Sequence, residues 1–212
     1  MHDRINEWAD LPFYNPTKVL LNAQQQGFRH SLGARATLPP GIRGSERKSL
    51  VECLDASVFA HGISQVVPGR DVAIAQFEAQ DYDFILRFGP PETPGYCPLQ
   101  LKTLVSEDVD PSQTARKLLE DLKRYADSRD LVVAIKVDRP NLDPAAFTIP
   151  PLRTGELWFF GPCAATAARW YLCGDRLGAP QRVELNMPLP ENRSGWAYDR
   201  DPRDMRRRIT LR

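Results

Sequence analysis

The sequence has no apolar run approaching the ~20 residues that a membrane-crossing helix needs. Its opening, Met1-His2-Asp3-Arg4, lacks the charged-then-apolar pattern of an export signal. Both absences predict a cytoplasmic chain without a membrane partner. The four cysteines, Cys53, Cys97, Cys163 and Cys173, include no Cys-x-x-Cys pair, so reduced, mostly buried thiols are expected. Cys163 and Cys173 can bridge only if the fold brings them close. His2, His30 and His61 are scattered, which argues against a zinc site or a histidine-based catalytic centre. No Gly-x-x-x-x-Gly-Lys or Gly-x-Gly-x-x-Gly loop occurs, and the serines lack a nucleophile-elbow setting. Nucleotide cofactors and serine hydrolysis are therefore not indicated. Nothing repeats, and no segment is of low complexity.

What is present fits a globular protein of one domain with appendages. The chain has 212 residues, of which 42% are hydrophobic and 26% charged. Net charge is only +1, so global charge announces no polyanionic partner, but its distribution does. Residues 29–48 carry Arg29, Arg35, Arg43, Arg47 and Lys48 against Glu46 alone, and the last twenty residues hold Arg206, Arg207 and Arg208 in a row. Residues 71–130 are acid-rich. Basic flanks around an acidic middle suit a cation site gripped against a polyanion; solvated arginine-rich termini are the plainer alternative. Arginine outnumbers lysine 22 to 6, which favours bidentate contacts to phosphate or carboxylate.

The pattern along the chain predicts a helix over Thr17–Gln26, then a loop or arm through Gly33, Pro39, Pro40, Gly41 and Gly44. A helix from Ser45 to His61 follows, with Leu50, Leu54 and Val58 as its stripe and Gly62 as its stop. Val72–Phe77 reads as a strand. Asp83–Phe88 and Pro98–Leu104 alternate as strands do, joined by a loop holding Gly89, Pro90, Pro91, Pro94 and Gly95. Asp110-Pro111 is a helix start, and Ala115, Leu118, Leu119, Leu122, Tyr125 and Ala126 continue that helix to about Asp127. Leu131–Val137 is nearly all apolar, the mark of a strand covered on both faces. Gly155–Phe160, Arg169–Cys173 and Arg182–Met187 read as added strands. The Leu157-Trp158-Phe159-Phe160 cluster is expected in the core rather than as an interaction surface. Three units result: a helical extension and arm over 1–45, a main domain over 46–187, and a basic tail over 188–212 anchored by Trp196 or Tyr198.

Side chains two apart on a strand share a face, so Gln100 and Lys102 project together. If the two central strands pair, Asp83 lies beside them. An acid, an amide oxygen and a lysine can together hold a hard cation next to a phosphate. Asp81 is a competing ligand nearer the turn. The plainer alternatives are that Asp83 merely begins a strand and that Gln100 and Lys102 form an ordinary polar face.

This arrangement, with the order helix, three strands, helix, strand over 46–137, resembles the PD-(D/E)xK nuclease superfamily. There an acid on one strand is followed on the next by an acid, any residue and a lysine. Here glutamine replaces the second acid, giving Gln100-Leu101-Lys102, a variant that also occurs in that superfamily. The resemblance implies an α/β (α+β) fold with an αβββαβ restriction-endonuclease-like core and a central mixed sheet. It implies Mg²⁺ or Mn²⁺ held by Asp83 and Gln100, with Lys102 at the attacking water or scissile phosphate. It further implies that Glu52, on the preceding helix, adds a carboxylate, and that Gln113 or Arg116 approaches the phosphate. Arg43, Arg47, Lys48, Arg206, Arg207 and Arg208 are the expected nucleic-acid contacts, with DNA favoured over RNA and a homodimer left open. Because Gln100 brings no charge, a catalytically inactive nuclease-fold module that binds nucleic acid or a protein is the alternative.

Overall fold

The computed structural model describes residues 7–25, 44–67, 71–90, 92–125, 128–139, 142–163, 169–178 and 181–188. Arg43, Trp196, Tyr198, Arg206, Arg207 and Arg208 lie outside the described residues, as does most of the 29–48 arm.

Among the described residues, two full helices lead into the sheet, after a helical turn at residues 7–9. Helix α1 (Pro16–Gln25) follows Asn15, whose Oδ1 accepts from Lys18 N–H at 3.1 Å. Helix α2 (Gly44–Val66) is longer than predicted. Gly62 does not end it. A Cβ there would lie 2.5 Å from Leu185 Cδ1, so the missing side chain lets the helix press against the sheet instead. From Cys53 to Ile63 every position of α2 is buried.

Seven strands form one mixed sheet in chain order. They are β1 (Val72–Gln76), β2 (Phe84–Phe88), β3 (Gly95–Leu104), β4 (Ser128–Val137), β5 (Thr154–Pro162), β6 (Arg169–Gly174) and β7 (Gln181–Asn186). Strands β1, β2 and β3 run antiparallel, β3–β4 and β4–β5 are parallel, and β5, β6 and β7 are antiparallel again. The protein is thus α+β. The β2–β3 loop turns at Gly89, whose φ of +83° only glycine adopts readily.

Period-2 alternation sorts the strand side chains onto two cores. Phe84, Leu86, Leu99, Leu101, Val132 and Ala134 face α1 and α2. Ile85, Leu104, Val133, Ile135, Val137 and Phe159 face the other way, toward helix α3 (Ala115–Asp121) and the 3₁₀ turn Leu122–Arg124. β4 is buried continuously from Leu131 to Val137 because it has a helical layer on each side. Leu157, Phe159 and Phe160 are buried and Trp158 is partly so, which makes that cluster core. All four cysteines are free, with Cys53 and Cys173 buried.

The crossover helix starts later than the sequence suggests. Asp110 closes a turn on itself, its Oδ1 accepting from Ser112 N–H at 2.9 Å. Thr114 is the actual cap, accepting from Lys117 N–H at 3.1 Å. An acid before proline serves an Asx turn as well as a helix cap, and only the downstream threonine decides between them. No described helix is long and apolar enough to cross a membrane.

Candidate metal and phosphate site

Backbone bonds on both sides fix Asp83 at the entry to β2. Its N–H donates to Leu99 O at 3.0 Å, and its carbonyl accepts from Phe77 N–H at 3.0 Å. The β2–β3 register pairs Phe84 with Leu99 and Ile85 with Pro98. Continued by one residue, it sets Asp83 opposite Gln100, and opposite side chains of an antiparallel pair share a face. The two meet directly. Gln100 Nε2 donates to Asp83 Oδ2 and to Leu101 O at 3.1 Å. Leu101 N–H donates to the same Asp83 Oδ2 at 3.2 Å. Gln100 is 4% exposed and Asp83 is partly exposed, so solvent reaches the pair through the acid.

Lys102 is the next residue on that face. Its Nζ stands 5.7 Å from the centroid of the Tyr125 ring, within cation–π range. Tyr125 closes the 3₁₀ turn after α3 and is 3% exposed. The crossover between β3 and β4 thereby supplies a wall to the site that sequence spacing assigns only to the helix stripe.

Acids gather from the other layer. Glu52 comes from α2 and is half-buried, with Lys48 one turn back at 3.7 Å. Burial pushes the Glu52 carboxyl up. Lys48 opposes this, and Asp83 and Glu78 add to it. Burial likewise pushes Asp83 up, against the Leu101 N–H and Lys102, while Glu78 again repels and Lys48 attracts. Glu78, exposed just beyond β1, is thus within electrostatic reach of both other acids. The only sequence signal for it is its place as the first acid after a strand end. Among the described residues, no three His, Cys, Asp or Glu side chains close into a metal cage of their own.

Four predicted residues are occupied elsewhere or stand apart. Gln113 lies before the cap of α3, not in its first turn. Its Oε1 accepts from Val105 N–H at 2.8 Å, which ties the crossover to the end of β3. Arg116 is exposed on α3, and Arg47 is exposed on α2; neither bonds to the Asp83–Gln100 pair. Asp81 is exposed in the β1–β2 turn.

A buried ionic group lies one turn along α2 from Glu52. Lys136 of β4 sets its Nζ 3.1 Å from Asp55 Oδ1 and 3.3 Å from Asp138 Oδ1. Burial pushes Asp55 up to about 6, with Lys136 pulling against it. For Lys136 burial acts downward, but the two carboxylates together outweigh it and the ammonium ends above its usual value. A lone lysine in an otherwise apolar strand is the sequence signal for this group. The group locks α2 to β4, and so helps fix where along the sheet Glu52 sits within electrostatic reach of Asp83. Comparison with protein-family models, with curated proteins and with solved structures finds no match to this chain.

Proposed function

We propose that the chain is a metal-dependent nuclease of the PD-(D/E)xK kind, acting in the cytoplasm on phosphodiester bonds of nucleic acid, DNA ahead of RNA. In this reading α2, β1, β2, β3, α3 and β4 form the restriction-endonuclease-like core. The observation that carries it is the direct meeting of Asp83 with Gln100, with Lys102 next on the same face. Asp83 and Gln100 come from different strands and converge at one sheet end, where a polar face of accidental composition has no reason to put an acid against an amide.

The donor chemistry fits a hard divalent ion. Asp83 and Gln100 offer oxygens, and Glu52 and Glu78 stand within electrostatic reach to add charge. Mg²⁺ or Mn²⁺ held there would neutralise phosphate charge and acidify a bound water. The protein's own contribution is positional. The Leu101 N–H fixes the Asp83 carboxylate, Tyr125 fixes the Lys102 ammonium, and Lys102 stabilises charge on the phosphate as the bond breaks. A single full carboxylate on the pair gives weak metal affinity, so substrate phosphate completes the site.

One observation favours a second reading, a non-cutting nucleic-acid or protein-binding module. Gln100 turns its amide nitrogen to Asp83, which satisfies the pair without an ion. The discriminating experiment incubates the purified chain with Mg²⁺ or Mn²⁺ and single- and double-stranded DNA and RNA, beside Lys102→Ala. Cleavage by the wild type that drops at least a hundredfold in the variant supports the nuclease. No cleavage of any substrate, with salt-sensitive binding retained, selects the module.

A further inference from the structure

We infer that Arg124 is a phosphate-binding residue, which takes the phosphate next along the strand from the one at Lys102. The inference rests on the nucleic-acid reading of the Asp83–Gln100–Lys102 site and extends its binding surface. Arg124 Cζ lies 5.2 Å from the centroid of the Tyr125 ring, the same ring that Lys102 Nζ approaches to 5.7 Å. The guanidinium also donates from Nη2 to Tyr125 Oη at 3.3 Å. One buried ring therefore contacts both cations.

Two like charges gathered on one ring repel, and an ordinary surface would neutralise them. Among the described residues neither Lys102 nor Arg124 has a carboxylate within ion-pair distance, whereas neighbouring Lys123 pairs with Glu120 and Lys136 pairs with Asp55. Asp121 and Asp81 act on Arg124 only at longer range. Arg124 is exposed while Tyr125 is 3% exposed, so the guanidinium is held by its Nη2 bond to the ring hydroxyl while the rest of the side chain meets solvent. The π face can hold both cations in place but cancels neither charge. What remains is a two-cation patch beside an acid–amide pair. Its complement is a polyanion with regularly spaced charges, one phosphate on Lys102 and the next on Arg124. A planar guanidinium suits that second role because it grips phosphate oxygens in pairs.

The test compares wild type, Arg124→Gln and Arg124→Lys. A short fluorescein-labelled single-stranded DNA is titrated by anisotropy in EDTA across a salt series. Mg²⁺-dependent cleavage is followed separately, with Lys102→Ala alongside. Arg124→Gln should weaken binding about tenfold and flatten the slope of log K against log salt by about 0.7, the share of one phosphate on a single strand. It should raise KM more than it lowers kcat, and Arg124→Lys should restore most of the slope. A wild-type slope in Arg124→Gln overturns the inference even if affinity falls, because a packing defect would not change how many phosphates are neutralised. So does a slope in Arg124→Lys no steeper than in Arg124→Gln. If the wild type binds DNA without cutting it, the nuclease reading fails and the slopes still decide on Arg124. If the wild type binds no DNA, both fail.

Discussion

Asp83 carries two demands that pull its protonation in opposite directions. Holding a cation needs a charged carboxylate, yet burial favours the neutral form and raises its pKa above the usual carboxylate range. Metal binding should therefore weaken on acidification at a higher pH than a free aspartate would require. Asp83→Asn separates the site from the fold. The Asn amide oxygen can still accept from Leu101 N–H, so stability should change by no more than about 1 kcal/mol. Mg²⁺ binding by calorimetry and any cleavage should vanish. Cleavage retained at the wild-type rate would remove Asp83 from the site. Gln100→Glu tests the neighbouring position. It puts a second carboxylate against Asp83, so without metal the two repel and one is driven to hold its proton. The variant should melt lower than wild type in EDTA and gain more from Mg²⁺, since the ion relieves the repulsion without requiring a carboxylate to take up a proton. A melting temperature that Mg²⁺ leaves unmoved would mean that the pair is not assembled for an ion. At this scale the sequence shows Asp83, Gln100 and Lys102 well, because strand periodicity alone puts the last two on one face. It hides Glu78, Tyr125 and Asp55, whose partners come from turns and from the opposite layer.

Helix α2 and strand β4 are joined by the Asp55–Lys136–Asp138 group, whose energetics belong to the elements rather than to any one residue. Lys136→Met leaves Asp55 buried without its cation and should cost about 3–5 kcal/mol in denaturant unfolding. Replacing both partners with apolar residues should recover much of that loss, because the remaining cost is mainly the stranded charge. The pH dependence has a definite sign. Asp55 is raised in the folded protein from 3.8 to about 6. Its contribution is thus fully present below about pH 4 and is lost as pH rises through about 6. Lys136 is raised as well, so its contribution persists across that window and is lost only at alkaline pH, above its ordinary value of 10.5. The stability difference between wild type and Asp55→Asn, measured from pH 4 to 7, should shift against the wild type with rising pH. A flat difference would mean that Asp55 does not titrate in that range. Local sequence misleads in these elements where one residue type serves two purposes. Gly62 looks like a helix stop but packs against Leu185. Asp110-Pro111 looks like a helix start but is a turn, with Thr114 capping α3 four residues later.

The seven strands follow one another across the sheet in chain order, and that simplicity is why so much of the topology could be read locally. Hairpins pair the outer neighbours, and two crossovers, the helical one between β3 and β4 and a longer connection between β4 and β5, make the central pairs parallel. What no local pattern gives is the register, and register is what sets Asp83 opposite Gln100 rather than one residue off. At the scale of the whole chain, charge is nearly balanced, so binding to a polyanion must come from where the charges sit. The site itself is acid-rich, with Glu52, Glu78 and Asp83 in mutual range, and repels a phosphate strand unless cations flank it. Arg206, Arg207 and Arg208, together with the 29–48 arm, carry the densest positive charge in the sequence. Replacing those three arginines with glutamine should weaken DNA binding uniformly across sequences. It should flatten the salt dependence on duplex DNA by up to about one unit of slope for each phosphate that an arginine had neutralised. Melting temperature should stay within about a degree or two, since arginines are rarely buried and exchanges of surface charge usually change stability little. An unchanged slope would leave these arginines as solvated tail, and would place the counter-charge of the acid cluster on the 29–48 arm, Lys102 and the residues around Tyr125.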